Sequence, residues 1–312
     1  MTPKIHEPGV YFVMPADEYH TDPALGSSDI RALIKSPRKY WLRSPLNPHR
    51  VRYEDGDTKA TMVGSALHDR LLLGEDIFNK HYLRRPDDRP GASSGDKSTL
   101  TKTAKAALKP GQELLHADDW TLVEDTARII TRHPDLREVF RDAHYEVSIF
   151  WVREDGIRCK ARLDILKPRG IGDLKTLANE QDLRLETACK HHIRRYAYHI
   201  QAEHYLEARR QIPALIDDGR CSLKHVSFLE ECASQQQFAF QLIFVSKALP
   251  EVWACVLSPG NPMLTYARDQ IETAMTNYLA VSKVAGPGEW LETWRLGELT
   301  FDDMPGGEHG WS

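Results

Sequence analysis

The sequence predicts an α/β domain in which a mixed central β-sheet is flanked by helices. Three segments, residues 144–153, 157–166 and 171–176, alternate or run apolar as β-strands do and are joined by short turns. Helical patterns precede and follow them, at residues 117–140 and 180–210. The chain has 312 residues, near the upper limit for one hydrophobic core. We therefore expect one elaborated domain.

The composition is that of an ordinary globular protein, with 41% hydrophobic and 28% charged residues. No stretch approaches the length of a membrane span, and the N-terminus lacks the apolar core of a signal peptide, so we expect a cytoplasmic protein without membrane contact. The five cysteines are widely spaced and form no C-x-x-C pair, which argues against structural zinc, an iron–sulfur cluster and a disulfide framework. The net charge of −4 does not indicate nucleic-acid binding, but it leaves that class open.

The expected domain spans residues 1–312 and contains three less regular parts. Residues 1–25 are predicted to form an irregular N-terminal segment with a short strand at Gly9–Met14. Residues 84–112 are rich in Pro, Gly, Ser, Thr and Lys and predict a basic insertion, for which a flexible surface loop is favoured over a functional arm. Residues 286–312 are predicted to be a surface tail.

A serine-capped helix is predicted to end near Pro37, where a basic stretch, Arg38–Arg52, begins. Arg38 and Lys39 could contact the phosphate backbone of a nucleic acid, because such charges supply most of the affinity for DNA. A solvated basic surface explains the same residues equally well.

The next helical pattern, residues 61–74, contains Gly64-x-x-x-His68 and is expected to close at Gly74. Small residues such as Gly64 suit a place where a backbone packs closely. His68 could be a hydrogen-bonded histidine on a half-buried helix or a metal ligand.

The hairpin Cys159–Thr176 carries the residues with the most evident chemistry. Asp164 ends its first strand, and Asp173 and Lys175 share one face of its second strand because they are two positions apart. Two carboxylates at one end of a hairpin can share a Mg²⁺ ion, and a lysine beside them can hold a water or a phosphate oxygen. A charged turn that faces solvent is the alternative.

Glu146 lies on the strand before this hairpin. The alternation places Tyr145, Val147, Ile149 and Trp151 on one side of the strand and Glu146 on the other. Glu146 could join a metal site or be an ordinary exposed strand residue.

The pattern at residues 180–210 predicts a long helix whose first half is basic and includes Arg194 and Arg195. Gln201 and Tyr205 are four positions apart in its second half and therefore share a face. Tyr205 could pack in the core or point a hydroxyl into a site, where the amide of Gln201 could also form hydrogen bonds.

The ordered set Gly64-x-x-x-His68, Glu146, Asp164, Asp173-Leu174-Lys175 and Gln201-x-x-x-Tyr205 resembles the PD-(D/E)XK nuclease pattern of RecB-type enzymes, and of the RecE exonuclease family in particular. The resemblance covers residues 26–258. It implies a Mg²⁺-dependent exonuclease, with Mn²⁺ as a substitute, that degrades linear double-stranded DNA from 5′ to 3′. It also implies 3′ single-stranded tails for a single-strand annealing protein, a role in phage or prophage recombination, and a ring-like homo-oligomer.

The same resemblance assigns roles to individual residues. Asp164, Asp173 and the Leu174 carbonyl would hold the metal, helped by His68 and with Glu146 as a weaker candidate. Lys175 would position the attacking water. Gln201 would orient the lysine.

Contacts to DNA are expected from five residues, at the backbone near the cut or along a groove: Arg38, Lys39, Arg194, Arg195 and Tyr205. Two other functions stay open: an endonuclease of the restriction or repair type with the same metal site, and an inert protein of this fold that only binds DNA.

Overall fold

A six-stranded mixed sheet forms the centre of the computed structural model, which describes residues 4–47, 49–50, 59–86, 94–179 and 181–284. The strand order is β1-β4-β5-β6-β7-β8, and β2 and β3 form a separate parallel pair. The strands are β1 Gly9–Tyr11, β2 Tyr82–Arg84, β3 Glu113–Leu115, β4 His144–Val152, β5 Arg158–Lys167, β6 Gly170–Leu177, β7 Ala239–Ser246 and β8 Val252–Leu257.

Neighbouring strands of the large sheet run antiparallel, except that β6 and β7 are parallel. A parallel pair needs a long crossover, which here consists of the helices between residues 185 and 234. The predicted hairpins of residues 144–166 and 157–176 are present, and the mixed α/β class is confirmed.

Helices cover both faces of the sheet. They are α1 Ala16–Thr21, α2 Ser27–Lys35, α3 Pro37–Trp41, α4 Lys59–His68, α5 Glu75–His81, α6 Ser94–Ala106, α7 Ala117–Arg132, α8 Pro134–Phe140, α9 Leu185–Tyr196, α10 Tyr198–Arg210, α11 Ile212–Asp217, α12 Val226–Ser234 and α13 Pro262–Val284. A short 3₁₀ turn, Leu223–His225, precedes α12.

The sheet separates two apolar clusters. The larger cluster packs the sheet against α2, α10 and α13, with Ile30, Leu206 and Ile271 among its buried residues. The smaller cluster packs the other face against α4, α5 and α7, with Leu67, Phe78 and Val123. Burial of apolar side chains is the main force that holds the helices on the sheet.

Two helix predictions are wrong in detail. The long helix expected at residues 180–210 is two helices, because Ala197 adopts the left-handed conformation, with φ 49° and ψ 51°, between α9 and α10. The helix expected at residues 61–74 is α-helical only up to His68. A π-helical turn, Asp69–Leu73, follows it, and Gly74 with φ 93° ends the turn.

The alternation expected along β4 is also interrupted. Val147, Ile149 and Trp151 belong to the larger cluster, whereas Tyr145 packs against the smaller cluster on the other face. The cause is Glu146, whose φ of 54° breaks the regular pleat between Tyr145 and Val147.

Parts of the predicted layout lie outside the described residues: 51–58 at the end of the basic stretch, 87–93 in the basic insertion, and the tail at residues 286–312. The weakly apolar helix expected in the insertion is α6. Among the described helices, none combines the length and the apolar character needed to cross a bilayer.

Candidate active site

Three acidic residues lie at the same level on three adjacent strands. The ladder pairs on either side of Glu146 put it opposite Asp164, and the last pair of the β5–β6 ladder puts Asp164 opposite Asp173. Residues directly opposite one another on antiparallel strands are close neighbours. The sheet therefore brings a row of three carboxylates together from separate parts of the chain.

The strands separate where the row lies. The β5–β6 ladder ends at Ile165–Gly172, and Asp164 Oδ2 accepts a hydrogen bond of 2.8 Å from the Leu174 backbone N–H. The Asp164 carboxylate thus accepts from Leu174 in place of a backbone carbonyl of the neighbouring strand. This contact fixes one oxygen of Asp164 and leaves the rest of the carboxylate facing Glu146.

Glu146 is held in a conformation that few non-glycine residues adopt. Its φ of 54° costs about 1–3 kcal/mol and must be stabilised by the surroundings. Its Oε1 lies 2.9 Å from His68 Nε2, and its Oε2 accepts a hydrogen bond from Arg162. Arg162 also donates to the Met14 carbonyl at 3.1 Å. The strained backbone therefore aims the carboxylate at the gap between β4 and α4.

Gly64 lets α4 approach the sheet and so places His68. A Cβ at Gly64 would lie 3.2 Å from Thr176 Oγ1, closer than side chains usually pack. His68 follows one helical turn later, at the point where α4 passes into the π-helical turn. Such turns are frequent at functional sites.

The imidazole of His68 is flanked by carboxylates. Burial disfavours its charged form, but the hydrogen bonds with Asp69 and Glu146 and the charge of Asp164 prevail and raise the pKa of His68 to about 10. Asp69 in turn lies 2.7 Å from His81 Nδ1. A positive charge is therefore strongly favoured at this position.

His68, Glu146 and Asp164 can together hold a cation, because each offers a ligand atom and these atoms lie within 4.8 Å of one another. Burial and the charge of Asp173 raise the pKa of Asp164 to about 7, although the charges of Lys175 and His68 oppose this shift. Two carboxylates and one imidazole suit Mg²⁺ or Mn²⁺. The residues fit the metal that the sequence predicts.

Asp173 is placed differently from the other two acids. It is fully buried, at 0% exposure, and its Oδ1 accepts a hydrogen bond of 2.8 Å from Gln201 Nε2. Its Oδ2 lies 2.5 Å from Lys175 Nζ. Asp173 is not part of the converging ligand set, so its role as a metal ligand stays a prediction.

Lys175 lies between Asp173 and the open part of the site. Its Nζ is 5.1 Å from the centre of the Tyr198 ring, a cation–π contact. Burial disfavours the ammonium, but the charges of Asp173 and Asp164 prevail and raise the pKa of Lys175 above its usual value. The lysine is therefore a stable cation at neutral pH.

The remaining predicted site residues are Leu174, expected as a metal ligand, and Tyr205, expected in catalysis and DNA contact. Leu174 is buried at 7% exposure and contributes its N–H to Asp164, while metal ligation by its carbonyl stays a prediction. Tyr205 is buried at 8% exposure and lines the same cavity as Lys175 and Gln201. Burial raises the pKa of Tyr205, so it is a phenol that can donate a hydrogen bond.

That cavity measures about 500 Å³ and adjoins a second one of about 620 Å³. The two share Arg31 and Arg43, among others. Lys39, Arg194 and Arg195, three of the predicted DNA contacts, line the second cavity. We call the two together the basic cleft. Arg38 is exposed on α3 and does not line it.

Four residues of the site escaped the sequence analysis: Arg31, Lys160, Arg162 and Tyr198. Two of them carried a usable signal, because Lys160, Arg162 and Asp164 occupy alternate positions of β5 and thus one face. Lys160 is buried and donates to the Tyr19 and Asp22 carbonyls at 2.8 and 2.6 Å. Arg31 and Tyr198 approach the site only through tertiary packing.

Comparisons with known proteins agree with this architecture. A crystal structure of a "Putative exonuclease" from Eubacterium rectale superposes with a TM-score of 0.51 and 15% sequence identity, over 95% of this chain and 99% of that chain. At this identity the likeness shows the fold alone. No match was found among curated proteins.

The profile of a family described as "PDDEXK-like domain of unknown function (DUF3799)" matches residues 27–286. This range contains every residue of the acid row, together with His68, Lys175 and Gln201. It confirms the PD-(D/E)XK resemblance and the expected nuclease fold. The chain belongs to this family of PDDEXK-like domains.

Proposed function

We propose that the protein is a Mg²⁺-dependent DNA exonuclease that hydrolyses phosphodiester bonds of linear double-stranded DNA from 5′ to 3′ and leaves 3′ single-stranded tails. The observation that carries the proposal is the cluster of His68, Glu146 and Asp164 beside the Asp173–Lys175 pair, next to the basic cleft. Membership of a PDDEXK-like family supports a nuclease. The name of the Eubacterium rectale neighbour favours the exonuclease mode.

His68, Glu146 and Asp164 would hold the cation, which when bound supplies Lewis-acid stabilisation of phosphate charge and a more acidic water. Mn²⁺ has the same ligand preferences and would substitute. Asp69 and Arg162 keep His68 and Glu146 in place from behind. Such supporting contacts commonly decide metal affinity as much as the ligands do.

Lys175 acts as a fixed positive charge. Because Asp173 and Asp164 raise its pKa, the ammonium keeps its proton and does not serve as a general base at neutral pH. It can donate hydrogen bonds to the attacking water and to a phosphate oxygen, and so stabilise the charge that develops on the phosphate. Gln201 orients Asp173, and Asp173 orients the lysine.

The DNA backbone would follow the basic cleft. Lys39, Arg194 and Arg195 are exposed and can each neutralise a phosphate, which makes binding dependent on salt. Tyr205 lines the same cavity as Lys175, and its phenol is suited to hold the backbone near the cut. Arg38, outside the lining, would contribute only on longer DNA.

The biological setting is a further part of the proposal. The tails would be bound by a single-strand annealing protein during phage or prophage recombination in the cytoplasm, and the nuclease would act as a ring-like homo-oligomer. The support for these points is the resemblance to the RecE family in the motifs from Gly64 to Tyr205.

A nuclease assay on linear and circular DNA of the same sequence tests the proposal. With Mg²⁺ we expect loss of linear duplex only, with nucleotides released first from a 5′-labelled strand. Cutting of the closed circle would indicate an endonuclease, and binding without any cleavage would indicate an inert protein. The Asp173→Ala and Lys175→Ala variants serve as controls, and hydrolysis by either at the wild-type rate would contradict the assigned site.

A further inference from the structure

Two tyrosines beside the active site are stacked although they are two positions apart in the chain. The rings of Tyr196 and Tyr198 have centroids 5.7 Å apart and an interplanar angle of 22°. In a continuous α-helix, positions two apart point about 200° away from each other, so their rings cannot stack. The arrangement therefore depends on the break between α9 and α10.

Ala197 makes this break by adopting the left-handed conformation, with φ 49° and ψ 51°. A residue with a Cβ pays about 1–2 kcal/mol for this backbone, and glycine is the usual choice at such a helix end. Arg31 on α2 donates a 2.6 Å hydrogen bond to the Tyr196 carbonyl and holds the break in place. Backbone strain of this kind is often retained where it serves function.

The two rings connect the catalytic lysine to solvent. Tyr198 lies under Lys175 Nζ at 5.1 Å, and both tyrosines line the cavity that contains Lys175 and Gln201. Tyr196 is 41% exposed. Its ring is contacted at present by the guanidinium of Arg195, 5.5 Å from the centroid, and by His192 at 5.2 Å.

The contact with Arg195 shows that the Tyr196 ring can accept a flat group on its face. Its side chain is exposed and can leave the ring without breaking a buried contact. A guanidinium and a nucleobase are both flat and both stack on aromatic rings, with a base gaining more contact area. A base on Tyr196 would place its adjoining phosphate within reach of the displaced Arg195.

We propose that Tyr196 is a stacking platform for one unpaired nucleobase next to the scissile phosphate, so that the enzyme acts on a frayed rather than a fully paired end. This inference rests on the proposed nuclease function and names the form of the substrate that the site takes. The base stacks on Tyr196 in place of Arg195, and Arg195 then pairs with the neighbouring phosphate. Tyr198 supports the platform from below and keeps Lys175 facing the phosphate.

The test uses short DNA duplexes with 2-aminopurine as the terminal 5′ base, in Ca²⁺ so that binding is read without relying on hydrolysis. The duplex ends are fully paired or mismatched at the last two pairs. A third duplex has an abasic site in place of the terminal 2-aminopurine, and its affinity is measured by competition against the mismatched duplex. Stacking quenches 2-aminopurine fluorescence, so we expect quenching with the wild-type protein, stronger with the mismatched end. We expect the abasic end to bind about tenfold more weakly than the mismatched end.

Tyr196→Leu removes the ring, and Tyr196→Phe is the matched control that keeps it. We expect Tyr196→Leu to bind the mismatched end about tenfold more weakly, without quenching, and to bind the abasic end as the wild type does. Tyr196→Phe should behave as the wild type. Equal quenching by all three proteins, or equal losses by Tyr196→Leu on mismatched and abasic ends, would overturn the platform.

The arm with wild-type protein and abasic DNA needs no variant, so it decides the question even if Tyr196→Leu fails to fold. A failure of the proposed nuclease function would give a different result from a failure of the stacking platform. If the nuclease function fails, the wild type releases no nucleotides from any DNA with Mg²⁺, whatever the fluorescence shows.

Discussion

The acid row contains two kinds of carboxylate, although all three lie at one level of the sheet. Glu146 and Asp164 are only partly buried and converge with His68, so that their ligand atoms lie within 4.8 Å. Asp173 is fully buried, and its two oxygens contact Lys175 and Gln201. We call the first set the cation group and the second set the lysine group.

The difference lies in how each group balances its charge. The lysine group contains its own cation, since Asp173 and Lys175 form an ion pair. In the cation group, Glu146 contacts His68 and Arg162. Among the described residues, the Leu174 N–H is the only hydrogen-bond partner of Asp164, whose pKa rises to about 7. Burial raises the pKa of Asp173 as well, but there the ammonium of Lys175 is in direct contact and opposes the shift. We therefore expect the cation group to take a metal and the lysine group to keep its geometry without one.

Asp164→Asn and Asp173→Asn should both abolish nuclease activity, but the comparison predicts that they shift the free energy of unfolding in opposite directions. Asp164→Asn and Asp173→Asn should each lower kcat by at least about a thousandfold, because each removes part of the charge stabilisation at the phosphate. Without metal at pH 8, Asp164→Asn should raise the free energy of unfolding by about 1–2 kcal/mol, since it removes a repelled charge and can still accept the Leu174 N–H. Asp173→Asn should lower it by about 2–4 kcal/mol, since Lys175 loses its counter-charge.

Urea unfolding with a parallel nuclease assay measures both quantities. The double variant Asp173→Asn/Lys175→Met is the control, because it removes both charges of the pair and should recover most of the stability but none of the activity. If both single substitutions shift stability in the same direction, the division into two groups is wrong.

Low pH should destabilise the protein through a buried histidine on helix α10, the helix that also carries Gln201 of the lysine group. His204 on this helix is fully buried, donates from Nε2 to the Lys160 carbonyl at 2.9 Å, and has no partner for Nδ1 among the described residues. Burial lowers the pKa of His204 to about 4, whereas an unfolded histidine titrates near 6.5. Between these pH values only the unfolded chain takes up the proton. The free energy of unfolding therefore decreases as the pH is lowered from about 6.5 to 4, by about 3 kcal/mol in total.

His204→Gln can keep the hydrogen bond to Lys160 and does not titrate, so it is the matched control. The difference in the free energy of unfolding between the two proteins should be constant above pH 7 and should change by about 3 kcal/mol in favour of the variant near pH 4. Parallel stability curves over this range would show that His204 accepts a proton while folded.

The placement of the cation group depends on the close approach of α4. Gly64→Ala puts a methyl group 3.2 Å from Thr176 Oγ1, so α4 must move by a few tenths of an ångström and carry His68 with it. We expect about tenfold weaker Mn²⁺ binding, measured by calorimetry, because ligand geometry is sensitive to such shifts. Thr176→Ala in the same chain removes the contact and should restore binding. Unrestored binding in the double variant would mean that the helix position does not set the affinity.

The smallest expected change in stability comes from substitutions of Ala197, at the break between α9 and α10. Helix α10 carries Gln201 of the lysine group. Ala197→Gly relieves the strain of the left-handed backbone, although glycine loses more entropy on folding, so the free energy of unfolding should rise by about 0.5–1 kcal/mol in urea titrations. Ala197→Val should lower it, since a branched side chain fits this conformation worse. A loss of stability on Ala197→Gly would mean that the break is not strained.

Local sequence patterns predicted the strands β4, β5 and β6 and the hairpins between them, and the hairpin turn at Lys167–Gly170 by itself brings Asp164 opposite Asp173. Site roles for His68, Glu146 and Gln201 came from the family resemblance. Local patterns could not predict the division of roles. The burial of Asp173 by Gln201 comes from packing between α10 and β6, which no local pattern encodes. The same holds for the left-handed backbone of Glu146 and Ala197, where tertiary contacts override local preference.

The most direct test of the central claim is to locate the cation itself. Crystals soaked in Mn²⁺ and measured at the manganese absorption edge should show one anomalous peak bounded by His68, Glu146 and Asp164, within coordination distance of carboxylate oxygens from both acids. No such peak in the wild-type crystals at millimolar Mn²⁺, or a peak only at unrelated surface acids, would contradict the assignment of the cation group.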